Sequence, residues 1–100
     1  MGYYTNFSLE IISGDDFTID HEKEISELAD YRTCFDGEIK WYHHDEHMRQ
    51  YSLKHPNTLF KLSGIGEENG DIWHEYYLNG KQQRCQAKII YDEFDESKLV

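Results

Sequence analysis

The run His43-His44-Asp45-Glu46-His47 packs three imidazoles and two carboxylates into five positions. Its letters match H-x-x-E-H, a pattern in which two helical imidazoles bind zinc and the glutamate acts as general base. That chemistry needs His43 and His47 on one turn of helix. Asp45 is the expected N-cap, which leaves His43 at the end of a preceding strand and breaks the spacing. A metal-dependent hydrolase built on His43, Glu46 and His47 is therefore the enzymatic alternative. The plainer reading is a solvated helix start whose acids complement the helix dipole. No catalytic residue, resident metal or cofactor is assigned on this basis.

The second glycine-rich candidate, Gly64-Ile65-Gly66-Glu67-Glu68-Asn69-Gly70, resembles a phosphate loop only in its glycines. It has no lysine and no following helix, and Glu67 and Glu68 would repel a phosphate. It also lacks the alternating Asp/Asn ligands of an EF-hand. Two exposed acids beside Asp71, on a loop between strands, fit recognition of a partner or a plain connection equally well. Cys34 and Cys85 are too few for a disulfide scaffold or a four-thiolate zinc site. They read as reduced thiols, with Cys85 in a strand core and Cys34 in a loop.

These residues must be positioned by one small domain, residues 1–100, with 92–100 as a frayed tail. The chain has 100 residues, 38% of them hydrophobic, and its 15% aromatic content supplies enough apolar area for one core. Tyr3 to Ile12 alternates with period two, so it reads as a strand. A helix capped by Asp20 follows, with Ile25, Leu28 and Ala29 facing inward. Glu38–Tyr42 forms a short strand, and a second helix runs from about Asp45 to His55, stopped by Pro56. Three strands close the chain: Thr58–Ile65, Asp71–Leu78 and Gln83–Tyr91. The last two are joined by Asn79-Gly80, the residues of a type I′ hairpin. Ile72, Tyr76 and Leu78 should face the core, as should Cys85, Ala87, Ile89 and Tyr91, while Tyr4, Tyr42, Trp73 and Tyr77 point outward.

The β-α-β-α-β-β-β order implies a two-layer α+β fold with a mixed sheet. Its first strands are expected to pair in parallel through helical crossovers, and its last three to form an antiparallel meander. The order is related to, but not the same as, the ferredoxin-like β-α-β-β-α-β order.

Charge narrows the partner class. Twenty acids against ten bases give a net charge of −10, which disfavours direct binding to nucleic acid or to an anionic membrane surface. No run approaches the roughly 20 apolar residues of a membrane span. The excess is uneven, since residues 1–30 hold eight acids and one base. Asp15, Asp16, Asp20, Glu24, Glu27 and Asp30 thus form one candidate partner-binding face. Glu67, Glu68, Asp71 and Trp73 form a second. A carboxylate-rich face of this kind either stays solvated or occupies a cationic nucleic-acid site on another protein. Outward tyrosines and tryptophans favour protein contact, with a homodimer as the other means of covering them.

From Ile39 onward the chain resembles a group of small proteins encoded by tailed phages and prophages. The resemblance rests on Trp41-Tyr42-His43-His44-Asp45-Glu46-His47-Met48, Leu59-Phe60-Lys61-Leu62-Ser63-Gly64-Ile65-Gly66-Glu67-Glu68, Asp71-Ile72-Trp73 and Tyr77-Leu78-Asn79-Gly80-Lys81. It covers about 40 residues; the group's first block reads W-Y-x-H-x-x-D-M, from which Glu46-His47 departs. The resemblance implies a non-enzymatic accessory protein in the cytoplasm of an infected or lysogenic bacterial host. Such a protein would bind and block a host protein, for example a nucleic-acid-binding defence effector, in an anti-CRISPR-like manner. A self-associating structural or regulatory module is the remaining alternative.

Overall fold

The computed structural model describes residues 2–14 and 18–100. Its elements are β1 (Thr5–Ser13), α1 (His21–Leu28), β2 (Glu38–Ile39), α2 (His44–Lys54), β3 (Leu59–Gly66), β4 (Ile72–Leu78) and β5 (Lys81–Gln86). A single 3-10 turn, Glu96–Lys98, follows. The α+β class and the element order are those read from the sequence, and β3-β4-β5 is an antiparallel meander. The sheet order is β2-β1-β3-β4-β5.

The expected parallel pairing is absent, because β1 pairs antiparallel with both β2 and β3. The connection through α1 returns the chain the full length of β1, about 30 Å, and β2 pairs while still running toward that end, Ile39 lying opposite Thr5. Helix α2 then carries it back, so β3 begins beside Ser13 and runs down the length of β1 to Gly66, opposite Thr5.

Both helices cover one face. Ile25 and Ala29 from α1, Met48 and Tyr51 from α2, and Phe7, Phe60, Leu62, Trp73 and Tyr77 from the sheet form a single core with Trp41 and Cys34. Register explains the faces: Phe60 opposes Tyr77, Leu62 opposes Glu75 and Gly64 opposes Trp73. Gly64 is required there, since a Cβ would run into the Trp73 indole. The expected orientation of β4 is thus reversed. Trp73 and Tyr77 are buried, at 4% and 0% exposure, while Ile72 and Leu78 face outward. Alternation defines two faces of a strand but not which one is covered; the face carrying two large aromatics takes the core.

The hairpin carries the same parity into β5. Asn79 and Gly80 both adopt positive φ, as a type I′ turn demands, and the turn sets Arg84 opposite Glu75. With Arg84 on the covered face, Cys85 lies on the open one, and it is exposed rather than in the core. Cys34 is the buried thiol, the reverse of the sequence reading. Beyond Gln86 the ladder ends, so Ala87, Ile89 and Tyr91 are exposed too, like all residues through 100.

Helix α1 is capped as expected, with the Asp20 carboxylate accepting from the Lys23 N–H at 3.1 Å. It ends in a Schellman arrangement in which Tyr31 N–H bonds the Ser26 carbonyl and Asp30 N–H bonds that of Glu27. Asp30 occupies the left-handed position, φ 61°, where glycine is the usual residue. Helix α2 starts two residues earlier than expected: His43 is its N-cap, without a side-chain cap bond, and Asp45 lies inside the first turn. There Asp45 pairs with Arg49 at 3.0 Å instead of capping. The helix stops at Lys54, ahead of Pro56.

Candidate functional site

Two concentrations of charge stand out, and they are built in opposite ways. The first is buried. Strand β4 aims Glu75 at the helices between Trp73 and Tyr77, leaving it 2% exposed. Three donors converge on it. Tyr77 donates its hydroxyl to Oε1 at 2.7 Å, Arg84 donates to Oε2 at 2.7 Å, and His44 Nε2 lies 3.0 Å from Oε1. Burial alone would push the Glu75 carboxyl up, but the bonds from His44 and Tyr77, the His44 charge and the Arg84 bond outweigh it and hold the group below its ordinary value. Burial and the adjacent Glu75 carboxylate push the Tyr77 phenol far upward, so it remains a donor.

His44 is fixed from both sides. Its Nδ1 is 3.0 Å from the Trp41 carbonyl while Nε2 faces Glu75, so both ring nitrogens have a protein partner. The His44 ring stacks on Trp73 with centroids 5.1 Å apart, and the Arg84 guanidinium lies 4.6 Å over the same indole. A cleft of about 190 Å³ opens beside the cluster, lined in part by Tyr3, Tyr42, His44, Asp71 and Arg84.

Sequence reasoning passed over this cluster, although one signal for it was present. Across a two-residue Asn79-Gly80 turn, Glu75 and Arg84 must face each other. The contribution of His44 depends on where α2 begins, which the residue pattern misplaced.

The second concentration is exposed. Helix α1 presents Glu24 and Glu27, flanked by Asp20 and Asp30, on its solvent side. Among the described residues no ion pair involves any of the four, whereas Glu10, Asp45, Glu46 and Glu75 all have cationic or imidazole neighbours. The Tyr51 hydroxyl reaches Glu24 at 3.5 Å. Asp15 and Asp16 lie outside the described residues. At the Asp30 end the ridge opens onto a groove of about 360 Å³ lined by Tyr31, Lys40, Tyr42, His43 and His47. Tyr31 and Tyr42 are exposed beside it.

The remaining candidates divide. Glu67 and Glu68 are exposed in the β3–β4 loop. Asp71 is half-buried and accepts from the Tyr3 hydroxyl at 2.5 Å, while the Glu68 N–H donates to that same oxygen at 3.0 Å. Tyr3 in turn donates its N–H to the Tyr42 hydroxyl at 2.8 Å. Tyrosines thereby link the loop to the lower end of the α1 ridge. Trp73, expected on the surface, is buried and offers no open face to a partner.

Helix α2 turns His44 toward Glu75 but keeps His43, its N-cap and not a strand end as expected, beside His47, with ring centroids 6.2 Å apart. His47 accepts the Trp41 indole N–H at 2.9 Å on Nδ1, and His43 approaches Glu46 only to 4.0 Å. Among the described residues no group of three or more His, Cys, Asp or Glu side chains is arranged to hold a metal ion. Burial pushes the Cys34 thiol up to about 11, so it is a poor nucleophile at neutral pH. No helix is long and apolar enough to cross a membrane. No family profile, curated protein or solved structure matches this chain.

Proposed function

We propose that this chain is a non-enzymatic binding protein whose α1 face occludes a basic, nucleic-acid-binding surface of another protein. The observation that carries the proposal is the unpaired ridge Asp20–Glu24–Glu27–Asp30, which ends beside exposed Tyr31 and Tyr42. Carboxylates left without cations steer a positively charged partner, and adjacent tyrosines supply contact area at low entropic cost. Glu67 and Glu68 extend the acidic surface through the Tyr3–Tyr42 link. The full occupancy of both His44 nitrogens favours binding over acid–base catalysis.

The resemblance to small tailed-phage proteins supports a setting in a bacterial cytoplasm, with a defence effector or another host nucleic-acid-binding protein as the target. Helix α1 with its caps, Asp20 to Asp30, spans about 15 Å, the length of roughly four phosphates of one strand at 3.4 Å each, so the ridge's carboxylates are commensurate with mimicry. The test is competition. A host protein retained on the immobilised chain at low salt should lose its nucleic-acid binding when the free chain is added, and should be released from the immobilised chain by high salt as the contact is screened. Retention that is indifferent to salt, or that leaves nucleic-acid binding intact, contradicts the proposal.

A further inference from the structure

The segment after β5 is the least explained part of the molecule. The Cα radius of gyration is 16.7 Å, against roughly 13 Å for a compact chain of 100 residues. The excess comes from a projecting arm, residues 87–100, along which Ile89, Ile90, Tyr91, Phe94 and Leu99 are all exposed. Large apolar side chains held in water on a folded domain call for a cover. The arm cannot supply its own by simple continuation. Its Ala87 N–H still bonds the Ile72 carbonyl, which directs the chain past the far end of the sheet, away from the Asn79-Gly80 hairpin.

The face of the sheet turned away from the helices is likewise uncovered. It exposes Ile65, Ile72 and Leu78, and it holds a groove of about 240 Å³ among Leu59, Tyr76, Leu78, Lys81 and Gln83. Register places Glu10, Lys61, Tyr76 and Gln83 in one row across it, next to the row of Leu78 and Lys81. Lys61 on this face is held by Glu10 at 3.8 Å, which leaves Lys81 as the cation at the groove, while the arm brackets Phe94 with Asp92, Glu93, Asp95 and Glu96. Shape and charge match: an apolar groove with a cation at its rim, and an apolar side chain between carboxylates.

We infer that two copies of this chain exchange arms. In the pair each arm crosses the open sheet face of the other copy, Phe94 seats in the groove at Tyr76 and Leu78, and the flanking carboxylates meet Lys81. Eight residues separate Gln86 from Phe94, a reach of about 26 Å when extended, comparable with the width of five strands at about 4.8 Å spacing. The contact is isologous, so it closes at two copies. Tyr91 and Phe94 from both arms bury roughly 600 Å² at about 150 Å² each, and the isoleucines bring the total past the roughly 1,000 Å² that a specific interface requires. Direct edge pairing of β5 is opposed by Lys81 and Arg84 on that strand. The pair leaves the α1 ridge, on the helical side, free for a different partner.

The test is the mass of the full chain in solution, by light scattering across a concentration series, with the variants Phe94→Asp and Leu78→Asp. Wild type should give twice the 12.0 kDa chain mass. Each variant should dissociate at concentrations at least tenfold higher while keeping its circular dichroism. A mixture of the two variants should dimerise more strongly than either alone, because one intact arm then meets one intact face. Thiol modification offers an independent readout, since Cys85 is exposed on the receiving face and Cys34 is buried. Its rate should fall as dimer forms. A monomer at every concentration overturns the inference, as does a dimer insensitive to both variants or a variant mixture no stronger than its components.

Discussion

The α1 ridge and the Glu75 cluster hold the same kind of group in opposite circumstances. Glu75 is 2% exposed and has three donors, whereas Glu24 and Glu27 are exposed and form no ion pair among the described residues. A buried carboxylate without partners is costly, so the fold surrounds it; a solvated carboxylate contributes little to stability whether paired or not. The difference teaches where each region's constraint lies. The cluster joins α2, β4 and β5 into one unit. The ridge is under no such demand from the fold, so its charge density is available for association.

Substitutions separate the two roles. Removing His44 leaves the Glu75 carboxylate buried with one fewer donor, and His44→Ala should cost about 3 kcal/mol in urea unfolding. Gly64→Ala drives a methyl into the Trp73 ring that carries His44 and Arg84, and should cost roughly 1–3 kcal/mol by the same measurement. An equally small destabilisation for both would show that the cluster is ornamental.

Acid titration sharpens the comparison. Because the folded pKa of Glu75 lies below its unfolded value, its stabilisation is present above the ordinary carboxylate range and is lost as pH falls through the folded value. Glu75→Gln should be less stable than wild type at neutral pH but lose less stability on acidification. Parallel curves for the two proteins would remove Glu75 from the account of acid unfolding.

The smallest expected effect on stability is at Asp30, and it has the opposite sign. An aspartate in the left-handed region next to the negative end of a helix violates two local preferences. Asp30→Gly should therefore stabilise the domain by about 0.5–1 kcal/mol. If the ridge binds a basic partner, the same substitution weakens that binding. Gain of stability with loss of affinity is the expected signature of a residue kept for function.

Much of this architecture was legible before the structure. Period-two alternation marked β1, Asp20 and Pro56 bounded the helices, and Asn79-Gly80 fixed a hairpin that adopts the positive φ values its residues permit. Strand direction was not legible, because it depends on how far the connection through α1 has returned the chain along β1 when β2 pairs. Nor was the sidedness of β4. Ile72 and Leu78 outrank Glu75 in hydrophobicity, so a pattern rule turns them inward; only the convergence of His44, Tyr77 and Arg84 makes the Glu75 face buriable. One inverted strand then inverted its hairpin partner and moved Cys85 from the core to the open face. The acidic ridge needed no tertiary information, as its residues lie within one helix and its caps.

The central claim is that the α1 carboxylates serve association and not the fold. The most direct test is the triple variant Glu24→Lys, Glu27→Lys, Asp30→Lys, assayed at once for its urea midpoint and for low-salt retention of a host nucleic-acid-binding protein. The account predicts a stability within about 1 kcal/mol of wild type and retention abolished. A fall in stability that tracks the loss of retention, or retention undiminished in a folded variant, would contradict it.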